Sequence, residues 1–347
     1  MKGVVTHRAL AGGGLLLLAL LGLIAAALTH GQISLTLGQA IRAVIDPAAD
    51  PVASQIVAQI RMPRMLTGVL AGAGLGVAGV LMQALFRNPV ADAWSLGLTA
   101  GGQLGVALAV AGAAFAGPAA VSFVSTFKGL DLTLGAAIGV SAAAALVLSL
   151  GRRLGTITLL VVGLMIWFTA QGLVSVILHF ASRAGGRVFG GWNDGTFTGV
   201  TGADLPLLAI PILIGLAVAV AAGKPLTSLL LGETYARSLG ADVGRLRWLV
   251  VGATVLMVAP ITAWCGPVTF IGLIVPHFAR AIAGTARIGP LLPLAALSGA
   301  LLAVAADFVV HLPWDQHFLH LNAVLALVGA PVVILLLLFS PGMRGYR

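Results

Sequence analysis

Residues 231–242 read LGETYARSLGAD, and residues 266–280 read GPVTFIGLIVPHFAR. Around them run apolar stretches of about 20 residues, the length at which a helix crosses a bilayer. The first stretch is therefore a short amphipathic segment in the most basic loop of a chain that is otherwise almost continuous spanning helix. Leu231, Tyr235, Ala236 and Leu239 recur near helical spacing and form an apolar face. Glu233 and Arg237 are an i,i+4 pair in the favourable order, set on the opposite side. Gly232 and Gly240 bracket the segment, and Gly240 suits a helix stop. Two readings stand: a solvated loop helix, or an element on which a soluble partner docks and pushes. The second stretch predicts a short span, 268–283, interrupted by Pro276. A broken helix at depth needs protein or a cavity to cover its freed backbone groups. His277 either bonds such a carbonyl or meets a ligand.

Composition sets the class. Of 347 residues, 59% are hydrophobic and 8% charged, against about 25% charged in soluble domains. The chain is an all-α polytopic membrane protein, read as one domain over 1–347 with the loop 223–244 as its partner-facing part. The single Cys265 excludes a disulfide framework within the chain and any multi-Cys metal site. Nothing calls for a resident cofactor. The net charge of +9 reports orientation rather than nucleic-acid binding.

Ten spans are expected: 9–28, 62–85, 94–113, 132–150, 156–180, 204–222, 245–263, 268–283, 290–310 and 322–340. With both termini in the cytoplasm, 13 of the 19 Lys and Arg residues fall inside and 6 outside, so that orientation is preferred. The N-terminus has features of a signal peptide, with Lys2 and Arg8 before a Leu-rich core and Ala25-Ala26-Ala27 after it. A retained first helix is favoured because it makes the charge bias come out correctly. The longest outer segments are 29–61 and 181–204.

Several features have two readings. Arg61-Met62-Pro63-Arg64 opens the second span at the outer face; its arginines are interfacial anchors or docking charges for an acidic partner. Gly68, Gly72 and Gly76 allow close helix packing within one subunit, or line a path or dimer seam. Asn88-Pro89 ends that span at the inner face, and Asp92 is placed to cap the third. Asp307 is a carboxylate near the outer end of the ninth span, read as bonding a neighbouring helix rather than carrying protons. His311, His317 and His320, with Asp315, gather before the last span. Their loose spacing fits an interfacial belt with Trp314 more simply than a metal or haem contact. Gly223-Lys224 is followed by Pro225 and lacks the upstream glycine of a phosphate loop, so the chain does not hydrolyse nucleotide by itself. No GxSxG or HExxH pattern supports an intramembrane enzyme. A secondary transporter or channel is the rival class, and the sparse intramembrane charge argues against it.

Taken together, RMPR (61–64), QALFRNPVADAWSLG (83–97), LGETYARSLGADVGRLR (231–247), GPVTFIGLIVPHFAR (266–280) and LVGAPVVILLL (327–337) resemble the FecCD-type, or type II, permease subunits of the iron-chelate, haem and vitamin B12 ABC importers. The resemblance runs from Arg61 to Phe339. It implies two permeases, as copies or paralogues, around a shared path in the bacterial inner membrane. It also implies two cytoplasmic ATPases below and a periplasmic binding protein above. Leu231–Gly240 would form the coupling helix, and Arg61 with Arg64 the docking charges. Gly266, Pro267, Pro276 and His277, with Asn88, Pro89 and the three span glycines, would line or pack the path. The cargo expected first is a ferric siderophore, then haem or cobalamin. Two stretches depart from the family pattern: GGWNDG (190–195), expected to line the outer cavity, and WDQHFLHLNAV (314–324) before the last span.

Overall fold

The computed structural model describes residues 2–31, 33–115, 130–151, 154, 156–181, 183–312 and 319–339. The described residues form fourteen α-helices and one π-helical stretch. In chain order these are α1 (Lys2–Thr29), α2 (Leu37–Ile45), α3 (Pro51–Gln55), the π-helix Ile56–Arg61, α4 (Met62–Phe86), α5 (Leu98–Phe115), α6 (Leu130–Gly151) and α7 (Thr156–Phe180). Then come α8 (Arg183–Asn193), α9 (Leu205–Leu229), α10 (Glu233–Ser238), α11 (Val243–Cys265), α12 (Ile271–Ala283), α13 (Ile288–Val310) and α14 (Leu321–Phe339). Among the described residues, seven helices are long and apolar enough to cross a membrane, and α5, α12 and α14 are shorter apolar helices. These ten coincide with the ten spans expected from sequence.

The differences are local. Residues 94–97 form turns and 268–270 are non-helical, so the third and eighth spans start later than expected. Helix α9 continues through Pro225 to Leu229, which shortens the inner connection to residues 230–242. The outer segments are not open loops. They hold α2, with a Thr36–Gln39 capping box, then α3 and the π-helix running directly into α4, and α8.

Helix α4 lies at the centre, packed against α13, α12, α9 and α11. Its glycines make this possible. A Cβ at Gly72 would lie 2.2 Å from Gly299 O, one at Gly76 2.6 Å from Ala295 O, and one at Gly79 1.9 Å from Gly272 O. Gly68 faces Phe197 and Val304. These glycines therefore pack within one chain, the first of the two readings of Gly68, Gly72 and Gly76. Gly272 O is also the carbonyl that Pro276 leaves without its i+4 donor; the apposed α4 backbone at Gly79 covers it. A second crossing, unforeseen, joins α5 and α6. Gly101 faces Gly139 and Gly105 faces Gly135, and in each direction a Cβ would come within 2.7 Å of a carbonyl oxygen. Both helices carry a GxxxG pair, the spacing that brings membrane helices into backbone contact.

Candidate functional site

Helix α10 sits between the inner ends of α9 and α11. Gly232 (φ +119°) precedes it and Gly240 (φ +85°) follows it, both in backbone regions that side chains disfavour. Gly240 N–H donates to Arg237 O (2.9 Å) and Ala241 N–H to Ala236 O (3.0 Å), which closes the helix as a Schellman motif. Two residues on, Asp242 caps α11 by accepting from Arg245 N–H at 3.0 Å. Glu233 forms a close ion pair with Arg247 of α11 and a looser one, 3.7 Å, with Arg237. The stronger partner, Arg247, lay outside the helix and was not expected. Ala236 is fully buried, while Leu231 (70% exposed), Tyr235 (48%) and Leu239 (62%) stand in the open at i, i+4 and i+8. The apolar face thus splits: its small residue anchors α10 to the body and its three large ones face outward.

Also on the inner side, Arg87 ends α4 with φ +48°, and Asn88 N–H donates to Gln83 O at 3.1 Å. Asn88 Oδ1 accepts from Val90 N–H (2.9 Å), and His277 Nε2–H donates to Pro89 O (3.0 Å). His277 thus does bond a carbonyl, though one of the turn rather than one freed by Pro276. Asp92 is buried and accepts from Ser95 N–H at 2.7 Å, while Ser95 Oγ accepts from Asp92 N–H at 2.9 Å. Burial pushes the Asp92 carboxyl above its ordinary range, partly offset by the bonds from Ser95 and Trp94. It organises the turn before α5 rather than capping that helix directly.

At the outer end the two arginines read as anchors or docking charges are buried and engaged within the chain. Arg61 is 5% exposed and donates to Leu28 O and Ile33 O. Arg64 is 8% exposed, with Nε 3.1 Å from Asp307 Oδ2 as a charge contact rather than an aligned hydrogen bond. Asp307 is also approached by His311, whose Nδ1–H donates to Asp307 O (2.8 Å) and lies 3.3 Å from Oδ1. Both guanidiniums are thus engaged within the chain, where they tie α4 to the end of α1 and to α13. His320 Nδ1 lies 3.4 Å from Asp194 Oδ2. His317, Asp315 and Trp314 lie outside the described residues. Among those described, no three His, Cys, Asp or Glu side chains come together as a metal site.

Gly266 and Pro267 belong to an outer-side cluster that sequence reasoning did not find. A Cβ at Gly266 (φ +76°) would lie 2.0 Å from Trp192 O, and Pro267 O accepts from Asn322 Nδ2–H at 2.7 Å. Gln103, Gln171, Asn193 and Asn322 complete the cluster. The only signal they left was four amides in or beside apolar helices.

A family model, the FecCD transport family, matches residues 16–339. The vitamin B12 import system permease protein BtuC of Vibrio cholerae is 33% identical over 291 residues, 82% of each chain. The protein of that name from Salmonella typhimurium is 36% identical over 291 residues, 81% of this chain and 83% of that one. A solved structure described as an inward-facing metal-chelate type ABC transporter superposes with a TM-score of 0.80 at 26% identity, covering 97% of this chain and 99% of that one.

Proposed function

Because the chain belongs to the FecCD transport family, as a multi-pass inner-membrane permease of the ABC-importer kind, we propose that α10 is the element through which separate ATPase subunits drive it. The observation that carries this is the exposed trio Leu231, Tyr235 and Leu239 on and at either end of a helix fixed to the body by Ala236 and the Glu233–Arg247 pair. Three large apolar side chains in water on and beside one short helix are an incomplete interface. Since α10 is joined to α11 by that ion pair and by four intervening residues, a displacement of α10 displaces the inner end of α11. Two such permeases around a common axis, two ATPases beneath and a binding protein outside would complete the machine.

The cargo we propose is a bulky metal chelate. Relatives at 33–36% identity are named vitamin B12 permeases, which moves cobalamin ahead of the ferric siderophore expected from sequence. The metal-chelate description of the solved neighbour keeps the siderophore as the second reading. The neighbour is described as inward-facing, and we read this chain's conformation in the same way, closed toward the outside. Purification of the tagged chain in mild detergent should bring down a Walker-type ATPase, and cells should take up labelled cyanocobalamin in a chain-dependent manner. Recovery of the chain without an ATPase even after crosslinking would defeat the coupling reading. Uptake of ferric siderophore but not cyanocobalamin would reverse the cargo order.

A further inference from the structure

A chain of side-chain amides, joined at Asn193 through its backbone carbonyl, crosses the outer part of the molecule. Gln171 of α7 donates Nε2–H to Gln103 Oε1 of α5 (2.6 Å), and Gln103 donates Nε2–H to Asn193 Oδ1 at the end of α8 (2.6 Å). Asn322, at the start of α14, takes over there. Its Nδ2 donates to Pro267 O (2.7 Å) and more weakly to Asn193 O (3.4 Å). Its Oδ1 accepts from Thr269 N–H (3.2 Å) and Oγ1–H (3.3 Å). Gly195 (φ +77°) packs directly on the Asn322 amide, where a Cβ would come within 2.9 Å. Five segments of the chain meet here through neutral amides, in a protein whose apolar spans make such groups costly unless they are satisfied.

The piece held by this chain is α8. One side of its C-terminal end is fixed: Trp192 Nε1–H donates to Ala263 O (3.1 Å) and Thr196 N–H to Cys265 O (2.9 Å), both at the outer end of α11. Its other side is open, since a Cβ at Gly186, Gly190 or Gly191 would meet nothing within 4 Å. Among the described residues, helix α8 is thus fastened along one side and open along the other at Gly186, Gly190 and Gly191. Its fastening runs to α11, the helix whose inner end carries the α10 contact.

We propose, resting on the transport reading, that Gln103 and Asn322 are positioning residues that latch α8 against α11 and α14 at the outer side of the path. Cargo entry from outside requires this latch to release. The amides suit that task because they hold without charge. Breaking them exposes dipoles that water can satisfy, whereas a broken ion pair would leave two uncompensated ions.

Cys265 supplies the reporter. It is the single cysteine of the chain, is buried, and its carbonyl is the acceptor for Thr196. Right-side-out vesicles carrying the complete transporter are treated outside with a membrane-impermeant maleimide, with and without ATP inside. The wild-type rate should depend on ATP. Gln103→Met and Asn322→Ala should label about tenfold faster without ATP, equivalent to about 1.4 kcal/mol and within the range for one lost buried hydrogen bond. Gln171→Met breaks only the α7–α5 link and should stay near the wild-type rate. Equal acceleration by all three variants would mean general loosening and would overturn the latch. So would wild-type rates in Gln103→Met and Asn322→Ala while the wild type still responds to ATP. A wild-type rate indifferent to ATP would defeat the transport reading and the latch together.

Discussion

Replacing Gly72 by alanine should loosen the centre of the molecule measurably. The new methyl would start 2.2 Å from Gly299 O, 2.6 Å from Gly299 C and 2.7 Å from Ala303 Cβ. Ordinary contact begins at 3.4 Å, so α4 and α13 must separate by about 1.2 Å at that crossing or bend around it. The obstructing atoms are mostly backbone, which cannot rotate away. Overpacking of this kind costs about 1–3 kcal/mol, and a backbone clash belongs in the upper half of that range. Alanine's better helix propensity works the other way by up to about 1 kcal/mol. The clash wins, with a net loss of about 1–2 kcal/mol. Gly22→Ala in α1, where a Cβ meets nothing within 4 Å, gains the propensity without the clash and should be neutral or slightly stabilising. The assay is residual monodisperse protein after heating in detergent, measured by fluorescence-detected size exclusion. A Gly72→Ala midpoint equal to or above that of the wild type would refute the view that Gly72 is there for backbone approach.

Other outcomes follow from the same geometry. Leu231→Ser with Leu239→Ser should abolish uptake and ATPase co-purification while leaving thermal stability unchanged, since both side chains are largely exposed; retained uptake would remove α10 from the coupling role. Glu233→Arg should reduce uptake by placing a like charge beside Arg247, and Arg247→Glu in the same chain should restore part of it. Arg64→Leu should destabilise by about 3–5 kcal/mol because it strands a buried Asp307, and the Arg64→Leu/Asp307→Leu double variant should be milder than either single change; an additive loss would argue against the pair. The native Asp92 carboxyl binds its proton more tightly than in the unfolded chain. Its contribution to stability is therefore full in acid and lost as pH rises through the raised value. Asp92→Asn keeps an acceptor for Ser95 N–H and should flatten that pH dependence in thermal melts, raising stability at neutral pH.

The spans were legible because each is a long apolar run, and even the short α12 could be placed from Pro276 and its flanks. The outer helices were not, because α2, α3 and α8 are short and draw their order from the body they lie on. Sequence placed Glu233 opposite Arg237 because helical spacing is a local rule. Its closer partner, Arg247, follows from how α10 folds back on α11, which spacing does not encode. Arg61 and Arg64 looked like surface charges since nothing nearby in sequence could neutralise them. Their partners come from α13 and from the carbonyls of residues 28 and 33. The α5–α6 crossing was readable in principle, since Gly101 with Gly105 and Gly135 with Gly139 have the GxxxG spacing.

Where energy enters the molecule can be argued from its charges. Asp307 is the one carboxylate inside the ten apolar spans, with Asp131 and Asp204 standing at the ends of theirs. An ion-driven carrier needs such a group to exchange partners with the coupled ion or proton. Asp307 is instead held by Arg64 at 3.1 Å and approached by His311 at 3.3 Å, on side chains that are nearly or largely out of water. Releasing it would leave Arg64 buried without a counter-charge, a cost that a single proton or sodium ion would have to meet on every cycle. The outer cluster offers amides, which hold shape but do not titrate. The inner face offers three apolar side chains on and beside a capped helix tied to α11. A structure that fixes the carboxylate inside its spans and exposes the row beside α10 fits the proposed drive by a protein from the cytoplasmic side better than drive by an ion passing through.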